Sequence, residues 1–246
     1  LVLRVVLKRG EFCFEIQIHD CNLSGMRRPK AVGESRLSRK FARVFQGNLF
    51  GGKESRSGRG SDADQTGVLR SELPKLLNDF GIVSLLDLPC GDLNWISKTD
   101  LGNVSYKGVD VVPELIAKLS KEYSAGGKSF EVADITQEVP SGDFDAILCR
   151  DLFVHLTTAD IKMALINLKK TGATYLLTTH FSDPRAYRNL PSIPFRVGWR
   201  PINLMEAPFH FPPPLSLLNE KCTEAKGRFS DKSIGVWRLK DLDIPS

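Results

Sequence analysis

The chain of 246 residues has no run approaching the roughly 18 consecutive apolar residues of a membrane-spanning helix, so no span is expected. Its five cysteines, Cys13, Cys21, Cys90, Cys149 and Cys222, are odd in number, widely spaced and nowhere in a Cys-x-x-Cys pair. That spacing argues against a disulfide scaffold and a structural zinc site, and for a reducing, intracellular compartment, cytoplasmic or organellar. Only four histidines are present, dispersed along the chain, and they suggest no metal cluster. No Gly-x-Gly-x-x-Gly turn follows a strand-like run, which removes the pyrophosphate cradle of a dinucleotide site.

What the chain does have is 41% hydrophobic content, enough for one sizeable core with room for an appendage. Its positive charge is unevenly placed. Residues 1–80 carry 15 Lys/Arg against 9 Asp/Glu, whereas the remainder carries 19 against 20. The basic front is suited to RNA, an acidic protein surface or an anionic substrate. A solvated extension with no partner is the plainer reading. The opening "LVLRVVLKRG" is not read as a signal peptide, because no small-residue cleavage pattern follows it.

Residues 1–20 cluster apolar groups around Arg9-Gly10 and predict a short hairpin. Residues 22–36 are polar and basic. Leu37, Phe41 and Phe45 recur at helical spacing before a double glycine, and "GGKESRSGRGSDADQT" reads by composition as a loose loop. From Gly67 the rhythm changes. "VLRSELPKLLNDF" predicts a helix and "IVSLLDL" a buried strand. "NVSYKGVDV", "KSFEVADI", "FDAILCR" and "ATYLLTTHF" follow as further strands, with helices over "PELIAKLSKEY" and "LTTADIKMALINLKKTG". Near-continuous apolar strands alternating with helices predict an α/β protein with a mostly parallel sheet covered on both faces. A proline-rich stretch over 182–214 precedes "PPPLSLLNEKC" and "KSIGVWRLKDL", two strands expected to pair antiparallel at one side.

In such a sheet the ligand crevice lies beyond the carboxyl ends of the strands. The first strand breaks at Asp87 into "PCGD", where Gly91 lets the backbone approach a ligand. The second ends at Asp110, a carboxylate able to accept from a vicinal diol. The third ends at Asp134, able to accept from an exocyclic amine, with Ile135 to cover a flat ring. The fourth ends in "CRD". Together these residues suit an adenosine-like molecule without phosphates.

Over residues 65–246 the chain resembles the class I S-adenosylmethionine-dependent methyltransferases. "LLDLPCGDLNW" resembles that family's first motif, with Asp87, Pro89, Cys90, Gly91 and Asp92 in its place and a proline where a glycine is common. "CRDLFVHL" resembles the fourth, which faces the methyl group. More narrowly, "GGKESRSGRGS", "PCGDLNW", "LCRDLFVHL" and "WRPINLMEAPFHFPPP" are similar to parts of an uncharacterised family of single-domain methyltransferase-like proteins. The resemblance implies a doubly wound, mostly parallel seven-stranded sheet with an antiparallel C-terminal strand, preceded by a basic extension over 1–64. It implies S-adenosyl-L-methionine as cofactor, Asp110 on its ribose, Asp134 and Ile135 on its adenine. Arg59, Arg70 and Gln65 are expected to reach its carboxylate, since a guanidinium binds a carboxylate through paired donors. Arg150 is expected to contact cofactor or substrate, or to pair with Asp151. Asp151 is the candidate substrate-orienting acceptor or base and His155 a candidate base, with His180 as the backup base. Trp199, Arg200, Asn203, Phe209 and Phe211 are expected to wall the substrate pocket. The implied activity is methyl transfer to an oxygen or nitrogen of a small molecule, a glycan or a protein. Two alternatives stand beside it: a structural subunit without activity, and an RNA methyltransferase. Against the latter, "CRDL" replaces the "NPPY"-type segment of many base N-methyltransferases, and the basic front lacks interleaved aromatics.

Overall fold

The computed structural model describes residues 2–8, 11–17, 35–123, 127–183 and 198–244. The chain divides into two compact units, Leu1–Ala31 and Val32–Ser246. In the first, strands β1 (Val2–Lys8) and β2 (Glu11–Gln17) pair antiparallel, Lys8 opposite Glu11 and Val2 opposite Gln17. The turn expected at Arg9-Gly10 and most of the polar segment 22–36 lie outside the described residues.

The second unit begins with helix α1 (Arg36–Gly47), capped by the Ser35 hydroxyl, which accepts from the Ser38 N–H at 2.9 Å. Helix α2 (Ala63–Asp79) and strand β3 (Ser84–Asp87) follow. Then come β4 (Ser105–Asp110), α3 (Pro113–Tyr123), β5 (Lys128–Val132) and β6 (Ala146–Cys149). The fold closes with α4 (Thr158–Lys170), β7 (Tyr175–Phe181), β8 (Ser216–Asn219) and β9 (Lys232–Arg238). The seven strands of the main sheet are ordered β5-β4-β3-β6-β7-β9-β8, and β3 to β7 are mutually parallel. Only β9 runs against its neighbours β7 and β8. The strands and helices expected from the sequence appear in the expected order.

Both faces of the sheet are covered, which is why its strands read as apolar throughout. In β3, Leu86 packs with Ile161, Leu165 and Leu168 of α4, while its neighbour Leu85 packs with Leu69, Leu73 and Leu77 of α2 and Leu115 and Leu119 of α3. Alternate side chains of a strand point to opposite faces, so two helical layers bury consecutive leucines.

The division between units falls after Ala31 rather than at residue 64, so α1 and the Gly/Ser-rich segment belong to the sheet's own unit. Two carboxylates organise that segment. Asp62 accepts from the N–H groups of Lys53, Glu54 and Ser55 at 3.1–3.2 Å. Asp92 accepts from the Ser55 and Ser57 hydroxyls and, at 2.7 Å, from the Arg56 N–H. Backbone donors that composition would leave to water are satisfied by residues distant in sequence.

Candidate active site

The chain steps from β3 outward to β4 and β5 and then returns to the other side of β3 with β6, which places a topological switch between β3 and β6. A cavity opens there. The residues following β3 (Asp87 to Leu93), β4 (Asp110 to Val112), β5 (Ala133 to Ile135) and β6 (Arg150 to Leu152) line it. Opposite them stand Leu37, Phe41, Val44 and Phe45 of α1, with Phe50, Arg56, Ser57 and Ser61. Helix α1 crosses this edge of the sheet. Arg36 pairs with Asp160 in α4 at 2.6 Å, Lys40 donates to the His155 carbonyl at 3.0 Å, and Gln46 donates to Glu114 in α3 at 3.1 Å.

At the end of β4, the Asp110 carboxylate is held from both sides: one oxygen accepts from the Gly91 N–H at 3.2 Å, the other from the Val112 N–H at 3.0 Å. Burial pushes its carboxyl up to about 6, against the pull of those N–H groups. Gly91 has φ +54 and lies so close to Ser57 that a Cβ would stand 2.3 Å from its hydroxyl oxygen. Only glycine meets both demands of this turn. Asp134 accepts from the Thr136 N–H and hydroxyl and from the Gln137 amide, and lies beside Ile135 on the cavity wall.

Beneath them, Asp87 accepts a hydrogen bond of 2.6 Å from the Tyr106 hydroxyl. Tyr106 pairs in register with Leu85, and Asp87, two residues on, shares that side of the strand. Burial pushes Asp87 up to about 7 despite this bond. Between about pH 4 and 7 the folded protein therefore keeps a proton on Asp87 that the unfolded chain has released. Stability contributed by this group falls as pH rises through that window. Asp87→Asn removes the titration. The variant is expected to gain on the order of 3 kcal/mol relative to wild type between pH 5 and pH 8, read by chemical denaturation at the two pH values. An unchanged difference would show that Asp87 ionises normally.

After β6 the chain turns sharply: Asp151 has φ +56. Its carboxylate is 2.6 Å from the Lys232 ammonium and 3.4 Å from the Arg150 guanidinium. Burial alone would raise its proton affinity, but Lys232 and Arg150 outweigh it and hold the group well below the usual carboxylate range. Arg150 forks onto Glu220, at 3.3 Å from Nε and 2.7 Å from Nη2, and also donates to the Gly60 carbonyl at 2.7 Å. Asp151 is thus a fixed anion and not a base. His155 is different. Its Nδ1 lies 2.9 Å from the Gly198 carbonyl, which only accepts, so Nδ1 carries the proton and Nε2 a lone pair. Burial pushes it down to about 4, so the ring is neutral at physiological pH. Phe50 stacks on it at 4.6 Å and Phe41 meets it edge-on at 6.3 Å.

Residues 85–171 match the family described as Methyltransferase domain, a span running from β3 through α4 that includes all four strand ends meeting at the cavity. The strand order and the cavity at the strand ends are those of the Rossmann-like methyltransferase fold. No curated protein matches it. Among solved structures it is similar to the N-methyltransferase NodS from Bradyrhizobium japonicum WM9, at 17% identity over 72% of this chain and 97% of that chain, with a TM-score of 0.50. It is also similar to human N-acetylserotonin methyltransferase, at 11% identity over 80% of this chain and 58% of that chain, with a TM-score of 0.54. Likeness at these identities is one of fold.

Within the matched residues, Asp87, Pro89, Cys90, Gly91, Asp92, Asp110, Asp134, Ile135, Arg150, Asp151 and His155 all line the one cavity. The other expected residues do not, and their placement is corrected as follows. Arg59 and Gln65 line a separate polar recess with Asp62 and Thr223, where Gln65 and Thr223 exchange hydrogen bonds of 2.7 and 3.1 Å. Arg70 folds back along α2 onto the Ala63 carbonyl. His180 is buried in β7, where its Nδ1 accepts from the Leu204 N–H at 3.2 Å and its ring meets Trp237 edge-on. Phe209 and Phe211 are buried in the core with Ile202, Leu204 and Trp237. Asn203 accepts from the Met205 N–H, and Arg200 donates to the Leu156 carbonyl at 2.6 Å. Trp199 packs edge-on against Phe181 and Phe229. The aromatics of this loop serve the core because β7, β8 and β9 have an apolar face to cover.

The sequence reading missed the face of α1, Phe50, Trp95, Glu220 and Lys232. Phe41 and Phe45 were legible as a helical stripe, but not what the stripe covers. Glu220 and Lys232 carried a weaker signal, a charge placed directly at the end or start of an apolar strand. Among the described residues no helix is long and apolar enough to cross a membrane, and no group of His, Cys, Asp and Glu is set to hold a metal ion.

Proposed function

We propose that the protein transfers the methyl group of S-adenosyl-L-methionine to an oxygen or nitrogen of a small molecule, glycan or protein. The observation that carries this reading is the convergence of Asp87, Asp110 and Asp134, the ends of three adjacent strands, on one cavity that also holds a neutral histidine. The donor set fits the cofactor. The Asp110 carboxylate accepts from the N–H groups of Gly91, Val111 and Val112 and, with about four lone-pair sites, keeps acceptor capacity for a ribose hydroxyl. Ile135 offers an apolar surface to a purine beside the Asp134 carboxylate. Apart from Asp87, which burial keeps largely protonated up to about pH 7, the charged side chains on the wall are Asp92, Asp110, Asp134 and Asp151 against Arg56 and Arg150, an excess of carboxylate that suits a sulfonium cation.

Bound there, the cofactor supplies an electrophilic methyl whose bonding electrons stay on sulfur. The protein's residues align the acceptor and manage its proton. His155 receives the proton at Nε2 from an acceptor O–H or N–H and passes it to solvent. Asp151, kept anionic by Lys232, lowers the cost of the transient imidazolium. Arg150 and Asp92 act as positioning residues, since their polar atoms tie the Gly/Ser segment and the C-terminal strands to the site.

The test is calorimetric titration with S-adenosyl-L-methionine and with S-adenosyl-L-homocysteine. One-to-one, micromolar binding of both is expected. A folded protein that binds neither would end this reading.

A further inference from the structure

The cavity has two chemically distinct ends. Strands β3, β4 and β5 supply the carboxylates described above at one. At the other, beyond β6, His155 is stacked by Phe50 and met edge-on by Phe41. Phe41 and Phe50 are half-buried and line the cavity, Phe41 with the Lys40 ammonium 5.0 Å from its ring centre and Phe50 with His155 stacked on it. The polar atoms at this end accept: the Asp151 carboxylate and the Nε2 lone pair of His155. Of the two guanidiniums of the wall, one is held in a buried charge network and the other is engaged through one nitrogen. Arg56 Nη1 donates to the Phe45 and Gln46 carbonyls at the end of α1, and Arg150 is held by Glu220, Asp151 and Gly60.

We infer that the methyl acceptor is a small ring-bearing compound, uncharged or cationic, which lies against Phe41 and Phe50 and points a hydroxyl or amine N–H at His155 and Asp151. Half-buried rings favour a flat apolar body through stacking, and the Asp151 carboxylate beside them favours a cation over an anion. Among the described residues acceptors predominate at this end of the wall, which disfavours phosphate and carboxylate, because each would be desolvated next to Asp151. RNA and acidic glycans are disfavoured on the same ground. The inference rests on the proposed methyltransferase reading, in which the strand-end carboxylates hold the cofactor and leave the His155 end for the acceptor.

The experiment is a ligand-observed NMR titration of the protein saturated with S-adenosyl-L-homocysteine, using four probes at pH 8: catechol (neutral), tyramine (cationic), 4-hydroxybenzoate (anionic) and methyl glucoside (neutral, without an aromatic ring). Catechol and tyramine are expected to bind, and Phe50→Ala to weaken both at least fivefold. Phe50→Leu, which keeps bulk without a ring, is expected to fall between. The other two probes and a short single-stranded RNA are expected not to bind. Titration of each variant with S-adenosyl-L-homocysteine alone reports separately on the fold and the cofactor end. If the cofactor analogue binds but 4-hydroxybenzoate, methyl glucoside or RNA outcompetes catechol, or if ring binding ignores Phe50, the acceptor inference is overturned and the methyltransferase reading stands. If wild type does not bind the analogue, both fall together.

Discussion

Replacing Asp110 by alanine is expected to weaken S-adenosyl-L-methionine binding by up to about a hundredfold, the loss of a hydrogen bond to a charged acceptor at ~1.5–3 kcal/mol, partly offset by water. The geometry makes Asp110 the sensitive point. Its two oxygens are pinned by backbone N–H groups of Gly91, Val111 and Val112, so the carboxylate cannot swing away, and acceptor capacity remains for the ligand. Alanine also leaves those N–H groups without their acceptor, which adds a stability loss of roughly 1–3 kcal/mol per buried group. Asp110→Asn is the necessary companion. It keeps the shape and one acceptor, so it should bind more tightly than alanine and more weakly than wild type. Because burial raises Asp110 to about 6, wild-type affinity should also decline as pH falls below that value, while Asp110→Asn shows no such decline from this position. Calorimetry at pH 5.5 and pH 8 on the three proteins reads both effects. If Asp110→Ala binds within a few-fold of wild type at pH 8, the ribose is held elsewhere and the cofactor orientation must be redrawn.

That Asp110, Asp134 and the "PCGD" turn would meet at one place was legible from the chain, because a parallel sheet puts every strand's carboxyl end on the same edge. The succession of strands and helices along the chain was legible for a related reason: local periodicity and turn residues report on one element at a time. Other features were set by partners far away in sequence. The Gly/Ser segment reads as loose until Asp62 and Asp92 supply its hydrogen bonds. "WRPINLMEAPFHFPPP" reads as a pocket wall, yet the wall is made by α1, and Phe209 and Phe211 fill the core beside Trp237. An aromatic in a proline-rich loop looks the same in either role. Asp151 was read as a base because nothing nearby in the chain shows that Lys232, 81 residues on, neutralises it.

Lys232→Met is expected to destabilise the fold by about 3–5 kcal/mol, the cost of removing one partner from a buried charge network, and to lower the melting temperature by roughly 10 °C for a domain of this size. The topology explains why so distant a residue matters. Since β9 alone runs antiparallel, its first residue lies at the same edge of the sheet as the last residues of β6, β7 and β8. Lys232 there contacts Asp151 at 2.6 Å and Glu220 at 3.4 Å, while its backbone carbonyl accepts from the Glu220 N–H. Lys232, Glu220 and Arg150 are all buried, and the four charges of the group cancel. Methionine fills the space of the lysine stem but leaves two carboxylates sharing one guanidinium, and the Asp151 carboxyl then moves back up toward its ordinary range. A second substitution separates charge from packing. If the lost stability comes from an unbalanced anion, adding Asp151→Asn to Lys232→Met should recover part of it, a coupling of about 1–3 kcal/mol in a double-mutant cycle. Thermal and denaturant unfolding of the four proteins in the cycle measure it. Equal stabilities for wild type and Lys232→Met would mean that water reaches these charges and that Asp151 is free to titrate. A clear loss with recovery in the double variant would mean that the last two strands hold the Asp151 charge in place, and so tie the stability of the sheet to the electrostatics of the cavity.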